Sequence, residues 1–141
     1  MLQAVPTTPL ARYRWETARP GFVADPLQEA AVARLDALWH VITRPPRRGW
    51  LARLAARKAP APKSGAYLWG DVGRGKSYLL DLFFDCLPGE HKQRLHFHEF
   101  MRAVHAKRRR LGDIPDPLPR IADDWAARAR VLCFDEFQVH D

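Results

Sequence analysis

An α/β fold with a parallel sheet is what this sequence of 141 residues predicts, on three observations. From Ala66 onward, short apolar runs alternate with amphipathic stretches in the order strand, helix, strand, helix, strand. That order is the signature of a parallel sheet covered by helices. A glycine-rich loop, residues 70–77, lies between the first of these strands and the first helix. The last strand ends in two adjacent acids, Asp135 and Glu136, and the C-terminal ends of parallel strands are where such sheets bind ligands.

Each element has its own signal. Residues 1–26 carry Pro6, Pro9, Pro20, Gly21 and Pro26 and read as an irregular arm with a short turn near 13–17. Asp25-Pro26 is a helix start, an N-cap acid followed by proline at the first helical position. Leu27, Ala31, Leu35, Leu38 and Ile42 then recur at three- and four-residue spacing, which predicts an amphipathic helix that Pro45-Pro46 stops. A second, basic helix is expected over 49–59, and Pro60, Pro62, Ser64 and Gly65 form a linker. Residues 27–65 thus read as a helical, basic lead-in and 66–141 as the sheet-bearing core.

Within the core, AYLW at 66–69 is a strand by length, and 76–87 is a helix closed by Pro88-Gly89. Residues 94–98 read as the second strand and 99–110 as a helix. Its final Lys107, Arg108, Arg109 and Arg110 suit the negative end of a helix dipole. Residues 117–129 form another helix, and VLCFDEF is the third strand.

Composition narrows the class. Hydrophobic residues make up 47% and charged residues 28%, as in globular proteins rather than disordered ones. No apolar run approaches the ~20 residues of a membrane span, and residues 1–16 lack the apolar stretch of a secretory signal. The two cysteines, Cys86 and Cys133, lie far apart in no metal-binding pattern, so a reduced cytoplasm is the expected compartment. The net charge of +7 is local: the first 70 residues hold 11 basic and 4 acidic side chains, the rest 12 of each. The excess concentrates at Arg44, Arg47, Arg48, Arg53, Arg57, Lys58 and Lys63. One basic segment therefore fits better than a uniformly basic nucleic-acid coat.

Gly70-Asp71-Val72-Gly73-Arg74-Gly75-Lys76-Ser77 matches G-x-x-x-x-G-K-[ST] at every fixed position. Glycines let the loop turn tightly and bring backbone N–H groups against phosphate oxygens. The helix that follows adds its positive end. Lys76 is expected to reach the β- and γ-phosphates of ATP, and the Ser77 hydroxyl to bind Mg²⁺. The ATP-binding set is residues 70–77, Arg74 included, together with Tyr78. Asp135 is expected to hold the Mg²⁺ shell, and Glu136 to orient or deprotonate the attacking water. On this reading Glu136 and Lys76 are the catalytic pair.

These segments resemble one family. DPLQEAAVARLDAL, YLWGDVGRGKSYLLDLFF, LPGEHKQRLHFHEFMRAVHA, DPLPRIADDWA and VLCFDEFQVHD are similar to the AFG-like AAA+ ATPases, which include the ZapE-type cell-division ATPases. The resemblance runs from about Phe22 to Asp141. It implies a P-loop NTPase sheet sandwiched by helices, incomplete at its C-terminus, with strands 1–3 present. It also implies ATP hydrolysis linked to Z-ring remodelling through the tubulin-like protein FtsZ, and self-association of the full-length protein. The family's sensor residue, arginine finger and helical lid are expected beyond Asp141, so this stretch alone is expected to turn over little ATP. In the family strand order 5-1-4-3-2, the second and third strands pair in parallel, and the first and third are not neighbours.

Two alternatives stay open. One is a nucleic-acid-dependent loader that grips DNA through the basic segment, a less favoured reading. The other is a module that holds nucleotide or a protein without turnover. His96 and His98, on one face of the expected second strand with His105 nearby, suit a half-covered edge strand better than a metal site, because H-E-x-x-H is incomplete. Trp50, Leu51, Leu54, Arg53, Arg57 and Lys58 read as a helix packed on the core with a solvated rim. Cys133 reads as a small buried apolar residue.

Overall fold

The computed structural model describes residues 4–23, 25–44, 65–71, 73–112 and 114–137. The basic helix expected over 49–59, and most of the basic segment around it, lie outside the described residues. The chain divides into two compact units, Met1–Pro88 and Gly89–Asp141.

The first unit is helical among its described residues: α1 Pro9–Thr17, α2 Pro26–Thr43 and α3 Lys76–Cys86. Helix α1 occupies the stretch read as irregular. Its proline stands at the first helical position, where a missing N–H costs nothing. Thr8 makes no side-chain cap; instead Asp36 of α2 accepts from the Leu10 N–H at 3.0 Å, satisfying one orphan donor at the helix start. Asp25 caps α2 as the sequence predicts, its Oδ1 accepting from the Leu27 N–H at 2.8 Å.

The buried face of α2 is rotated from the expected stripe. Leu27 is 67% exposed, while Val32 and Leu35 are buried. The inward line runs Gln28, Val32, Leu35, Trp39, at steps of four, three and four, and therefore begins with a polar residue. Tyr13 and Pro9 of α1 and Leu79, Leu82, Phe83 and Cys86 of α3 complete this core, with Leu87 just beyond α3. The Trp39 indole N–H donates to the Cys86 carbonyl at 2.8 Å, closing the C-terminal end of α3 onto α2. Trp39→Phe should therefore destabilise the protein by about 1–3 kcal/mol, combining a lost hydrogen bond with lost packing. A lower denaturant midpoint at unchanged m-value is the expected measurement.

Polar contacts tie α1 to α3 as well. The Tyr78 hydroxyl donates to Glu16 Oε2 at 2.6 Å, and Arg12 pairs with Glu16 at 3.0 Å and Asp85 at 3.4 Å. Burial, then the bond to Glu16, pushes the Tyr78 phenol above its ordinary pKa, so it stays neutral.

The second unit contains β1 Lys92–His96, α4 Phe97–Leu111, α5 Leu118–Arg128 and β2 Val131–Asp135. The strands pair in parallel, with Lys92 opposite Val131, Arg94 opposite Cys133 and His96 opposite Asp135. The helices between them form the crossover that parallel pairing demands. The expected pairing of the second and third strands is therefore present. The second strand is displaced toward the N-terminus, however. It ends at His96, where its ladder partner ends, and α4 starts at Phe97 with Glu99 in its first turn. His98 is thus a helix residue, not part of an edge strand. Its ring stacks on that of His96 at 5.6 Å.

An aromatic cluster packs α4 and α5 beside β2: Phe100 lies 4.8 Å from Phe134 and 5.0 Å from Trp125, centroid to centroid. Ile121, Ala129 and Cys133 are buried, and burial pushes the Cys133 thiol above its ordinary pKa. Lys107 of α4 pairs with Asp124 of α5.

The three-strand expectation is corrected. The described residues contain one sheet of two strands, and 66–69 is not among them. Tyr67 is 64% exposed and Trp69 83%. A strand exists only through a ladder, and no described segment pairs with this one.

Candidate functional site

The glycine-rich loop enters α3 through positive-φ glycines. Gly70 has φ +147°, Gly73 +81° and Gly75 +78°, and Gly75 is the N-cap residue of the helix. Such angles are strained for any side chain bearing a Cβ. They explain why this turn, from extended chain to helix start, uses glycine at these positions. Among the described residues, a Cβ at Gly70 or Gly73 would meet nothing within 4 Å, so none of them blocks a ligand there. Gly75 differs, because a Cβ there would lie 2.6 Å from Gln28 Nε2. The α3 ladder begins at once, with the Leu79 N–H bonded to the Gly75 carbonyl at 3.0 Å. Backbone N–H groups of the first turn lack partners within the helix and carry its positive end.

Lys76 folds over the loop. Its Nζ donates to the Gly70 carbonyl at 2.8 Å and the Asp71 carbonyl at 2.7 Å. The ammonium therefore links the first residues of the loop to the first residue of the helix, and it lies at the loop rather than out in solvent. Arg74 is half-exposed, with its guanidinium 3.9 Å from Asp25 Oδ2. Tyr78 turns its hydroxyl to Glu16, as described. Ser77 is on the exposed side of the first turn. Val72 lies outside the described residues.

One residue at this loop went unread in the sequence. Gln28 Nε2 donates to the Arg74 carbonyl at 3.1 Å. In the sequence it looks like an ordinary polar-face residue of α2. Its place at i−4 from Val32 and i−7 from Leu35 was the available signal.

The acid pair lies in the second unit. Asp135 ends β2, and its Oδ2 accepts from the Arg94 guanidinium at 2.8 Å. Arg94 belongs to the neighbouring strand, so sheet register brings the pair together. Glu136 follows with φ +53°, left-handed and unusual for a side chain that is not glycine, asparagine or aspartate. This turn breaks the strand just after Asp135, and Glu136 is exposed. Phe137 packs on Phe97 at 4.2 Å, anchoring the chain immediately after the turn. Among the described residues no helix is long and apolar enough to cross a membrane. No group of three or more His, Cys, Asp or Glu that could hold a metal ion is found among them either.

Comparison with known proteins places the chain in a family. The chain is 41% identical over 145 residues to the cell division protein ZapE of Escherichia coli (strain K12), an alignment that covers 95% of this chain and 39% of that protein. It is 34% identical over 168 residues to the uncharacterized protein C115.02c of Schizosaccharomyces pombe, covering 95% of this chain and 37% of that one. A third relative is the lactation elevated protein 1 homolog B of Danio rerio, 39% identical over 93 residues, with 58% of this chain and 18% of the relative covered. The chain thus spans about two fifths of the length of the first two relatives. No solved structure matches it. The model of the AFG1-like ATPase family matches residues 7–141, nearly the whole chain, which therefore belongs to the AFG1-like ATPase family.

Proposed function

We propose that this chain carries the nucleotide-binding part of an AAA+ ATPase that acts in cell division, as the name of its Escherichia coli relative suggests. The observation that carries the reading is the loop itself. Three positive-φ glycines lead into the N-terminus of α3, with Lys76 held across them. Open space beside Gly70 and Gly73 fits phosphate oxygens.

On this reading Lys76 exchanges its bonds to the Gly70 and Asp71 carbonyls for the terminal phosphates of ATP, and the Ser77 hydroxyl turns to Mg²⁺. Residues 70–77 bind through backbone N–H groups. The Tyr78 side chain, tied to Glu16, fixes the first turn of α3, and its backbone N–H completes the phosphate-facing set. Asp135 would hold the metal shell, and Arg94, on the same carboxylate, fixes its orientation. Glu136, exposed beyond the strand, would accept the proton of the attacking water. Mg²⁺, when bound, spreads and neutralises the charge of the phosphates. FtsZ as partner belongs to this proposal through the family resemblance, and so does a cytoplasmic, self-associating protein.

Asp135→Asn should weaken the dependence of ATP binding on magnesium. Loss of one charged ligand corresponds to about 1.5–3 kcal/mol, or roughly a ten- to hundredfold shift of the magnesium midpoint. An unchanged midpoint would remove Asp135 from the metal site. Phosphate release measured beside a nucleotide titration tests the reading as a whole. Saturable binding with release supports an ATPase, whereas binding without release in the full-length protein supports a holding module.

A further inference from the structure

Gln28 is the one polar residue on the inward line of α2, and it faces the phosphate loop rather than the apolar core. Its side chain is chemically specified at both ends. The Arg74 carbonyl can only accept, so the amide nitrogen must face it, at 3.1 Å. That leaves Oε1 toward the Tyr13 hydroxyl, 3.4 Å away, a long contact whose proton is shared with the Asp25 carbonyl at 3.5 Å. The same nitrogen fills the space that a Cβ on Gly75 would need, at 2.6 Å. Gln28 is therefore seated against two consecutive loop residues, one through its carbonyl and one through its missing side chain.

Two further contacts run the same way. Asp25, the cap of α2, stands 3.9 Å from the Arg74 guanidinium. Tyr78, in the first turn of α3, is bonded to Glu16 of α1. Residues of α1 and α2 thus touch the loop and its helix at Arg74, Gly75 and Tyr78. A glycine-rich loop has many backbone conformations to lose on ordering, and phosphate binding needs one of them. A donor that fixes the Arg74 carbonyl toward α2 leaves the Gly75 N–H directed the other way, because the N–H and C=O of one peptide point oppositely across its plane.

We propose that Gln28 is a positioning residue for the phosphate loop: by bonding the Arg74 carbonyl and packing on Gly75, it holds the loop in its anion-binding form and so sets affinity for ATP. The inference rests on the nucleotide-site reading and adds to it a residue 46 positions away in sequence. Gln28→Met keeps length and packing but removes the donor. Gln28→Glu keeps the acceptor toward Tyr13 and also removes the donor. Both should weaken binding of ATP with magnesium by roughly 3- to 10-fold. KM should rise while kcat at saturating ATP stays parental, because bound nucleotide restores the loop. Tyr13→Phe, which leaves the Arg74 bond intact, should bind ATP as the parent does.

Amide exchange in the nucleotide-free protein gives a readout that needs no ATP. Exchange over residues 73–77 should quicken in Gln28→Met, with the rest of α3 unchanged. Parental affinity in a folded Gln28→Met or Gln28→Glu variant overturns the proposal, as does unchanged exchange over 73–77. An affinity loss that merely follows lowered thermal stability, and that Tyr13→Phe shares, also overturns it in favour of simple core packing. Failure of the site reading looks different: there Lys76→Ala leaves ATP affinity unchanged.

Discussion

Glu136→Gln, made in the full-length protein, should bind ATP as tightly as the parent and hydrolyse it some 10²–10⁴ times more slowly, the usual span for loss of a general base. The amide preserves size and shape but cannot take a proton. Its position suits this test. The residue is exposed, and its left-handed φ of +53° sets it off the strand at a fixed turn between Asp135 and the packed Phe137. An acid placed only for solubility would have no reason to sit in that conformation, which costs of order 1–3 kcal/mol. Parental turnover in the Gln variant would make Glu136 a surface acid.

Lys76→Ala should weaken ATP binding by one to two decades, since a lost charged hydrogen bond is of order 1.5–3 kcal/mol. The structure adds a second contribution. In the free loop the ammonium joins the Gly70 and Asp71 carbonyls to the head of α3, so its removal also loosens the cradle. Lys76→Arg is an informative companion. It keeps the charge, but a planar fork does not reproduce a compact ammonium held between two carbonyls. Affinity should fall in both variants, and a calorimetric titration reads it. Unchanged affinity in Lys76→Ala would remove the loop from nucleotide binding.

Much of the fold is legible from local chemistry. The Asp25-Pro26 start of α2 is stated by cap and proline alone, and the glycine loop followed by an apolar-periodic run gives α3 to within a residue. A parallel sheet follows from short strands separated by helical stretches, whereas the pairing of the second strand, expected at 94–98 and found at 92–96, with the third is what the family resemblance implies. The misses have physical reasons. Helix α1 was hidden because Pro9 reads as a breaker, although the first helical position tolerates it. The strand expected at 66–69 was read from apolarity, but strands are made by partners, and none pairs with it among the described residues. His98 fell on the wrong side of a boundary because FHEF suits a strand end and a helix start equally, and the end of the ladder decided.

The site divides in the same way. Loop residues 70–77 and the acids 135–136 announce themselves by spacing, since their chemistry is carried by residue type. Gln28 and Arg94 do not, because their importance lies in what they touch: the Arg74 carbonyl and the Asp135 carboxylate. Only tertiary placement, or a stripe read as 28-32-35-39 instead of 27-31-35-38, brings Gln28 into view.

The central claim is that the backbone N–H groups at the head of α3 cradle the phosphates of ATP, and amide exchange with and without ATP and magnesium tests it most directly. The account predicts slowed exchange over residues 70–78 when nucleotide is added, abolished by Lys76→Ala, with the amides of α5 unaffected. Exchange over 70–78 that is the same with and without saturating ATP would contradict it.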